Sequence, residues 1–146
     1  MEYQEERGNL ALFKEAFPLL QAHAEELNTL STPLDPDYSH YLKAANTGKM
    51  AIFTVRDKGE LVGYACYWIL RHPHYDVTVA DQDILFLRED LRHGRTGLKL
   101  IKFSEKILEA GGVDVITQRT KKHKDLGKLF KYLGYELTEE VYTKEI

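Results

Sequence analysis

The chain has 146 residues, 43% hydrophobic and 29% charged, with 20 basic against 23 acidic side chains for a net charge of −3. That length and composition predict one globular domain over 1–146, and with no basic excess no nucleic acid is expected as a partner. No apolar run approaches the roughly 20 residues of a membrane span, and Met1–Asn9 is polar throughout, so a soluble, cytoplasmic protein without a membrane partner is expected.

The first eight residues are weakly patterned, and Tyr3 fits either a short edge strand or a tail. From Asn9, a suitable N-cap, Leu10, Phe13, Phe17, Leu20, Ala24 and Leu27 fall on one helical face. Pro18 within that run predicts a kink or the opening of the main segment. Asn28–Leu34 reads as a loop. Asp35-Pro36 then reads as N-cap and first position of a second helix carrying Tyr38, Tyr41, Leu42 and Ala45, ended by Asn46-Thr47-Gly48.

Met50–Arg56 and Leu61–Leu70 have strand composition and flank a turn at Asp57-Lys58-Gly59-Glu60, which predicts a hairpin. Cys66, the single cysteine, excludes an intramolecular disulfide and lies in an apolar run, as a buried unreactive thiol would. The loop Arg71–Asp76 holds His72, His74 and Asp76 without further nearby ligands, so no metal site is expected.

A third strand is predicted from Val77 to Leu87, and Ile84–Leu87 is continuously apolar, as a strand covered on both faces would be. Charged and glycine residues follow from Arg88 to Gly97. Then Leu100, Ile101, Ser104, Ile107 and Leu108 recur at helical spacing, up to Gly111-Gly112. A strand, a glycine-containing turn and a helix N-terminus together present free backbone N–H groups at the positive end of a helix dipole, an anion cradle. Val113–Gln118 reads as a short strand and Leu126, Leu129, Phe130 and Leu133 as one more helix closed by Gly134. The basic run Arg119, Lys121, Lys122, Lys124 and Lys128 reads as its solvated start. Tyr135–Ile146 resumes strand-like alternation. The order of elements predicts an α/β, mixed α+β fold, a mixed sheet with helices on both faces.

Across nearly the whole chain this order resembles the GCN5-related N-acetyltransferase (GNAT) family. Arg92-His93-Gly94-Arg95-Thr96-Gly97 is similar to the family's pyrophosphate loop, Ala110-Gly111-Gly112 with Val113–Ile116 to its helix–glycine–strand passage, and Leu129 to Tyr135 to its aromatic-x-x-Leu-Gly-Tyr ending. Arg95 stands where most relatives have glycine, and Phe130 where many have a proton-donating tyrosine.

The resemblance implies acetyl-CoA as cosubstrate, held by the amides of His93, Gly94, Arg95, Thr96 and Gly97 with charge from Arg92 or Arg95. It also implies a backbone amide near Phe86–Leu87 for the thioester carbonyl, and direct transfer to a primary amine, on a small molecule or a protein. A carboxylate on the preceding strand would serve as base. Asp81 and Asp83 both fit, since period two sets them on one face with Leu85 and Leu87. Tyr132 and His123 are the polar groups on or near the last helix that could protonate the thiolate. In relatives the first two helices set acceptor specificity; here they carry Glu25, Glu26, Asp35, Asp37, Tyr38 and Tyr41, and a homodimer is compatible with the family. A non-catalytic interaction or regulatory protein of the same fold is the competing reading. A dinucleotide oxidoreductase is a distant third, because the turn lacks Gly-x-Gly-x-x-Gly.

Overall fold

A computed structural model describes residues 1–146. Five strands lie in chain order across one sheet: β1 (Glu2–Glu5), β2 (Met50–Asp57), β3 (Glu60–Arg71), β4 (Thr78–Leu87) and β5 (Val115–Thr117). Neighbours are antiparallel except β4 and β5, which run parallel, so the sheet is mixed as expected. Helices α1 (Leu10–Leu27) and α2 (Tyr38–Asn46) cover one face, while α3 (Thr96–Ala110) covers the other; α4 (Gly127–Tyr132) follows β5.

Alternation along the strands builds a separate core on each face. Phe53, Val55, Ala65, Tyr67 and Ala80 pack with Leu100 and Leu108 of α3. Met50, Ile52 and Leu61 pack with Leu12 of α1 and Ala44 of α2. The β2–β3 hairpin turns through Lys58 (φ 50°) and Gly59 (φ 85°), the left-handed pair that a two-residue turn needs to match strand twist. Arg56 ties the start of the chain to this hairpin. Its guanidinium bonds Glu6, Glu15 on α1 and the Gly59 carbonyl. Burial opposes ionisation of Glu6, yet its bonds from Arg56 and Thr54 outweigh that and hold the carboxyl below the usual range.

Asn9 caps α1 through the Leu12 amide as predicted, and the helix continues through Pro18 to Leu27. Its buried face keeps Phe13 and Leu20 of the predicted stripe but is rotated away from Leu10. Leu10 is 42% exposed and Leu12 only 6%; the stripe runs through Leu12, Phe13, Ala16 and Leu20. Helix α2 starts two residues later than Asp35-Pro36 suggests, because Asp37 accepts from the His40 amide and is the cap. The strand predicted over Val113–Gln118 shortens to Val115–Thr117. Tyr135–Ile146 forms no strand, and Leu137, Val141 and Tyr142 are 75%, 79% and 90% exposed. Alternation there has no neighbouring strand to pair with.

Gly63 on β3 marks a close approach. An added Cβ would stand 2.8 Å from the Phe86 carbonyl oxygen and 2.9 Å from Val55 and Leu87 side-chain carbons. Gly63→Ala is expected to lower unfolding stability by about 1–3 kcal/mol through overpacking. Urea denaturation would show this as a lower midpoint at unchanged slope.

Candidate active site

The sheet opens at β4. Strand β5 pairs with β4 only across Val79, Ala80 and Asp81. From Gln82 to Leu87, β4 has β3 on one side and no strand on the other. The strands thus separate from Gln82 on, ahead of Phe86–Leu87, leaving roughly 20 Å of free edge at about 3.3 Å per residue. Arg119 closes the near end of this cleft. Its backbone N–H donates to Gln82 Oε1 at 2.6 Å and its guanidinium to the Gln82 carbonyl at 2.9 Å and to the Asp81 carboxylate. Thr117 Oγ1 also donates to Asp81 at 2.5 Å. Asp81 is therefore committed to the junction of β4 and β5.

Asp83 has a different position. Cys66 pairs with Ile84 and Tyr67 with Gln82, so Asp83 is the extra residue of a β-bulge. The bulge turns both Asp83 and Ile84 toward α1 and α2, while Leu85 and Leu87 pack into the α3-side core. This corrects the expectation that Asp83 shares a face with Leu85 and Leu87: the extra residue resets the period between them. Tyr41 Oη donates to Asp83 Oδ2 at 2.9 Å and Trp68 Nε1 to Oδ1 at 3.0 Å, with the two rings stacked 5.4 Å apart.

Asp83 lies in the wall of a cavity of about 300 Å³ between α1, the α1–α2 loop, α2 and the sheet. Leu12, Phe13, Leu20, Met50 and Ile52 line it, and Asp35, Asp37, Tyr38 and Tyr41 of the predicted specificity set reach it. Glu25 is exposed and Glu26 is engaged elsewhere. Burial pushes the phenols of Tyr41 and Tyr64 and the thiol of Cys66 well above their ordinary ranges, with Asp83 adding to each rise. Cys66 is thus a protonated wall residue and not a nucleophile at neutral pH.

Beyond Leu87, a 3-10 turn (Glu89–Leu91) leads to α3. No side chain caps α3, and its first internal bond is Lys99 N–H to the Arg95 carbonyl. The N–H groups of His93, Gly94, Arg95, Thr96, Gly97 and Leu98 accordingly have no acceptor in the protein. A Cβ on Gly94 would meet nothing within 4 Å, and one on Gly97 only Leu87 at 3.8 Å. Neither glycine is needed for packing; both leave the cradle open. Arg95, His93, Lys99 and Lys102 are exposed around it. Arg92 is not free to join them: it pairs with Glu26 at 2.7 Å, donates to the Leu87 carbonyl at 2.7 Å and lies 5.2 Å over the Phe86 ring. It braces the strand end against α1.

One ionisable group here escaped the sequence reading. His23 stands on α1 with its ring 5.0 Å from that of Phe86. Burial lowers its pKa; Glu26 opposes the fall, and Arg92 and Lys121 add to it. The signal was its place three residues after Leu20, on the face that the displaced stripe concealed. Tyr132, in contrast, is 74% exposed and does not line the cavity. His123 is exposed, and Phe130 is a buried core residue packed edge-on against Tyr135.

A search of curated protein sequences finds no match. The model of the acetyltransferase (GNAT) family, however, matches residues 12–135. The chain belongs to the GNAT family. Membership makes it an acetyltransferase. Solved structures agree on the fold. An aminoglycoside acetyltransferase, meta-AAC0020, from an uncultured soil metagenomic sample, in complex with sisomicin, superposes with a TM-score of 0.75 at 17% identity, covering 99% of this chain and 96% of that one. The ribosomal-protein-alanine N-acetyltransferase of Brucella melitensis biovar Abortus 2308 gives 0.73 at 16% identity over 100% of both chains. A tetramutant of the BH1408 protein of Bacillus halodurans gives 0.76 at 18% identity, again over 100% of both.

Proposed function

We propose that this GNAT protein moves the acetyl group of acetyl-CoA directly to a primary amine seated in the α1–α2 cavity. The observation that carries the reading is continuity. The open amides at the start of α3, the free edge of β4 and the Asp83 carboxylate succeed one another along one strand and its turn. The amides of His93 to Gly97 hold the pyrophosphate, with Arg95 and Lys99 supplying charge outside them. The vacant backbone groups of β4 hold the amide-rich arm that follows. When bound, acetyl-CoA supplies an activated thioester carbonyl and a thiol leaving group.

The residues of this chain provide positioning and proton handling. A β4 amide near Phe86–Leu87 polarises the carbonyl. Asp83, fixed by Tyr41 and Trp68, accepts the proton of the incoming amine through water. His23, held toward its neutral form by burial, stands over Phe86 on the same side of the sheet. Phe130 belongs to the core, and solvent reprotonates the thiolate.

The binding half is tested by thermal denaturation with millimolar acetyl-CoA. Saturation a hundredfold above Kd is expected to add about 2.7 kcal/mol of stability. No shift at any acetyl-CoA concentration up to several millimolar would contradict it.

A further inference from the structure

The cavity also carries information about its ligand. Its walls are Leu12, Phe13, Leu20, Met50, Ile52 and Leu61, with no lysine or arginine among the lining residues. Asp83 is the carboxylate on the sheet wall. At the α1–α2 loop, Asp37 is spent on Ser39 and the His40 amide, leaving Asp35 alone there. Tyr64, 4% exposed, lines the same wall, and its Oη has no hydrogen-bond partner in the protein. A buried hydroxyl without a partner calls for one from a ligand. About 300 Å³ holds on the order of ten water-sized groups.

Resting on the acetyl-transfer reading, we propose that the acceptor is a primary monoamine with a compact apolar body, a single ring or a branched hydrocarbon. Its amino group sits between Asp83 and the Tyr64 hydroxyl, and its body lies against α1. Asp83 balances one positive charge. A polyamine or aminoglycoside would press most of its other ammonium and hydroxyl groups against leucine, phenylalanine and methionine, with Asp35 at the loop the one further uncommitted carboxylate to meet them. A site of this kind rejects such ligands through their unpaired polar groups.

The test needs no turnover, so its failure is separate from failure of acetyl transfer. Trp68 is the chain's single tryptophan and donates to Asp83, which makes its fluorescence a reporter of the cavity. Titration of the full chain with 2-phenylethylamine is expected to give a saturable change. Spermidine, kanamycin and a short peptide with a free N-terminus are expected to give none at the same concentrations. Tyr64→Phe is expected to weaken 2-phenylethylamine binding about fivefold or more, while Tm stays level or rises because an unpartnered buried hydroxyl is removed. Saturation by spermidine, kanamycin or the peptide, no response to 2-phenylethylamine, or unchanged affinity in Tyr64→Phe would each overturn the proposal.

Discussion

Asp83→Asn is expected to lower kcat/KM for amine acetylation at least about a hundredfold, the low end of what a positioned base contributes. Asparagine fills the same volume and keeps one acceptor oxygen for the Trp68 N–H. Its amide nitrogen can face Tyr41, whose hydroxyl is able to rotate and accept instead. The fold therefore survives while the proton acceptor is lost. Asp81→Asn separates the two aspartates that spacing alone leaves level. It weakens the contacts to Arg119 and Thr117, half-exposed ones worth less than about 1 kcal/mol, and leaves kcat/KM within a few fold. Steady-state thiol release paired with urea midpoints reads both. A larger kinetic loss in Asp81→Asn than in Asp83→Asn would reverse the assignment.

Gly97→Asp is expected to move stability and cofactor affinity in opposite directions. Gly97 is the second residue of α3, whose first turn has no acidic side chain and whose N-terminus has no side-chain cap. A Cβ there meets only Leu87 at an ordinary 3.8 Å. A carboxylate at this end of the dipole contributes about 0.3–1 kcal/mol, and loss of glycine from a helix adds to it. The same carboxylate occupies the amides assigned to the pyrophosphate and repels its charge. Without ligand Tm holds or rises by a few degrees, while calorimetry shows acetyl-CoA affinity falling at least about a hundredfold. Loss of Tm with affinity retained would make the α3 N-terminus an ordinary structural turn.

Local chemistry made much of this fold readable. Lys58-Gly59 between strand-like runs gave the hairpin, Asn9 the α1 cap, and the Leu100–Leu108 stripe the face of α3. Where two local solutions were equally good, the sequence could not choose. Asp35 and Asp37 can each cap a helix, and Asp37 is the one whose carboxylate takes the His40 amide. The α1 face is rotated by about 60°, roughly a sixth of a turn, which moves Leu10 out and brings His23 in. The bulge left no mark, because Ile84 to Leu87 is apolar on both parities and conceals a reset period. That reset decides the site: it sends Asp83 and Ile84 to the cavity and Leu85 to the other core. At Tyr135–Ile146 alternation set a permissible side-chain period without providing a neighbouring strand, and a three-residue β5 offers little edge to recruit one.

The central claim is most directly tested by mixing the protein with acetyl-CoA and 2-phenylethylamine and counting products by mass spectrometry. Free thiol and N-acetylated amine should accumulate one for one with wild type and should be suppressed in Asp83→Asn. Acetyl-CoA that raises Tm yet yields no acetylated amine, with this or any other amine, would contradict transfer and leave a protein that only binds.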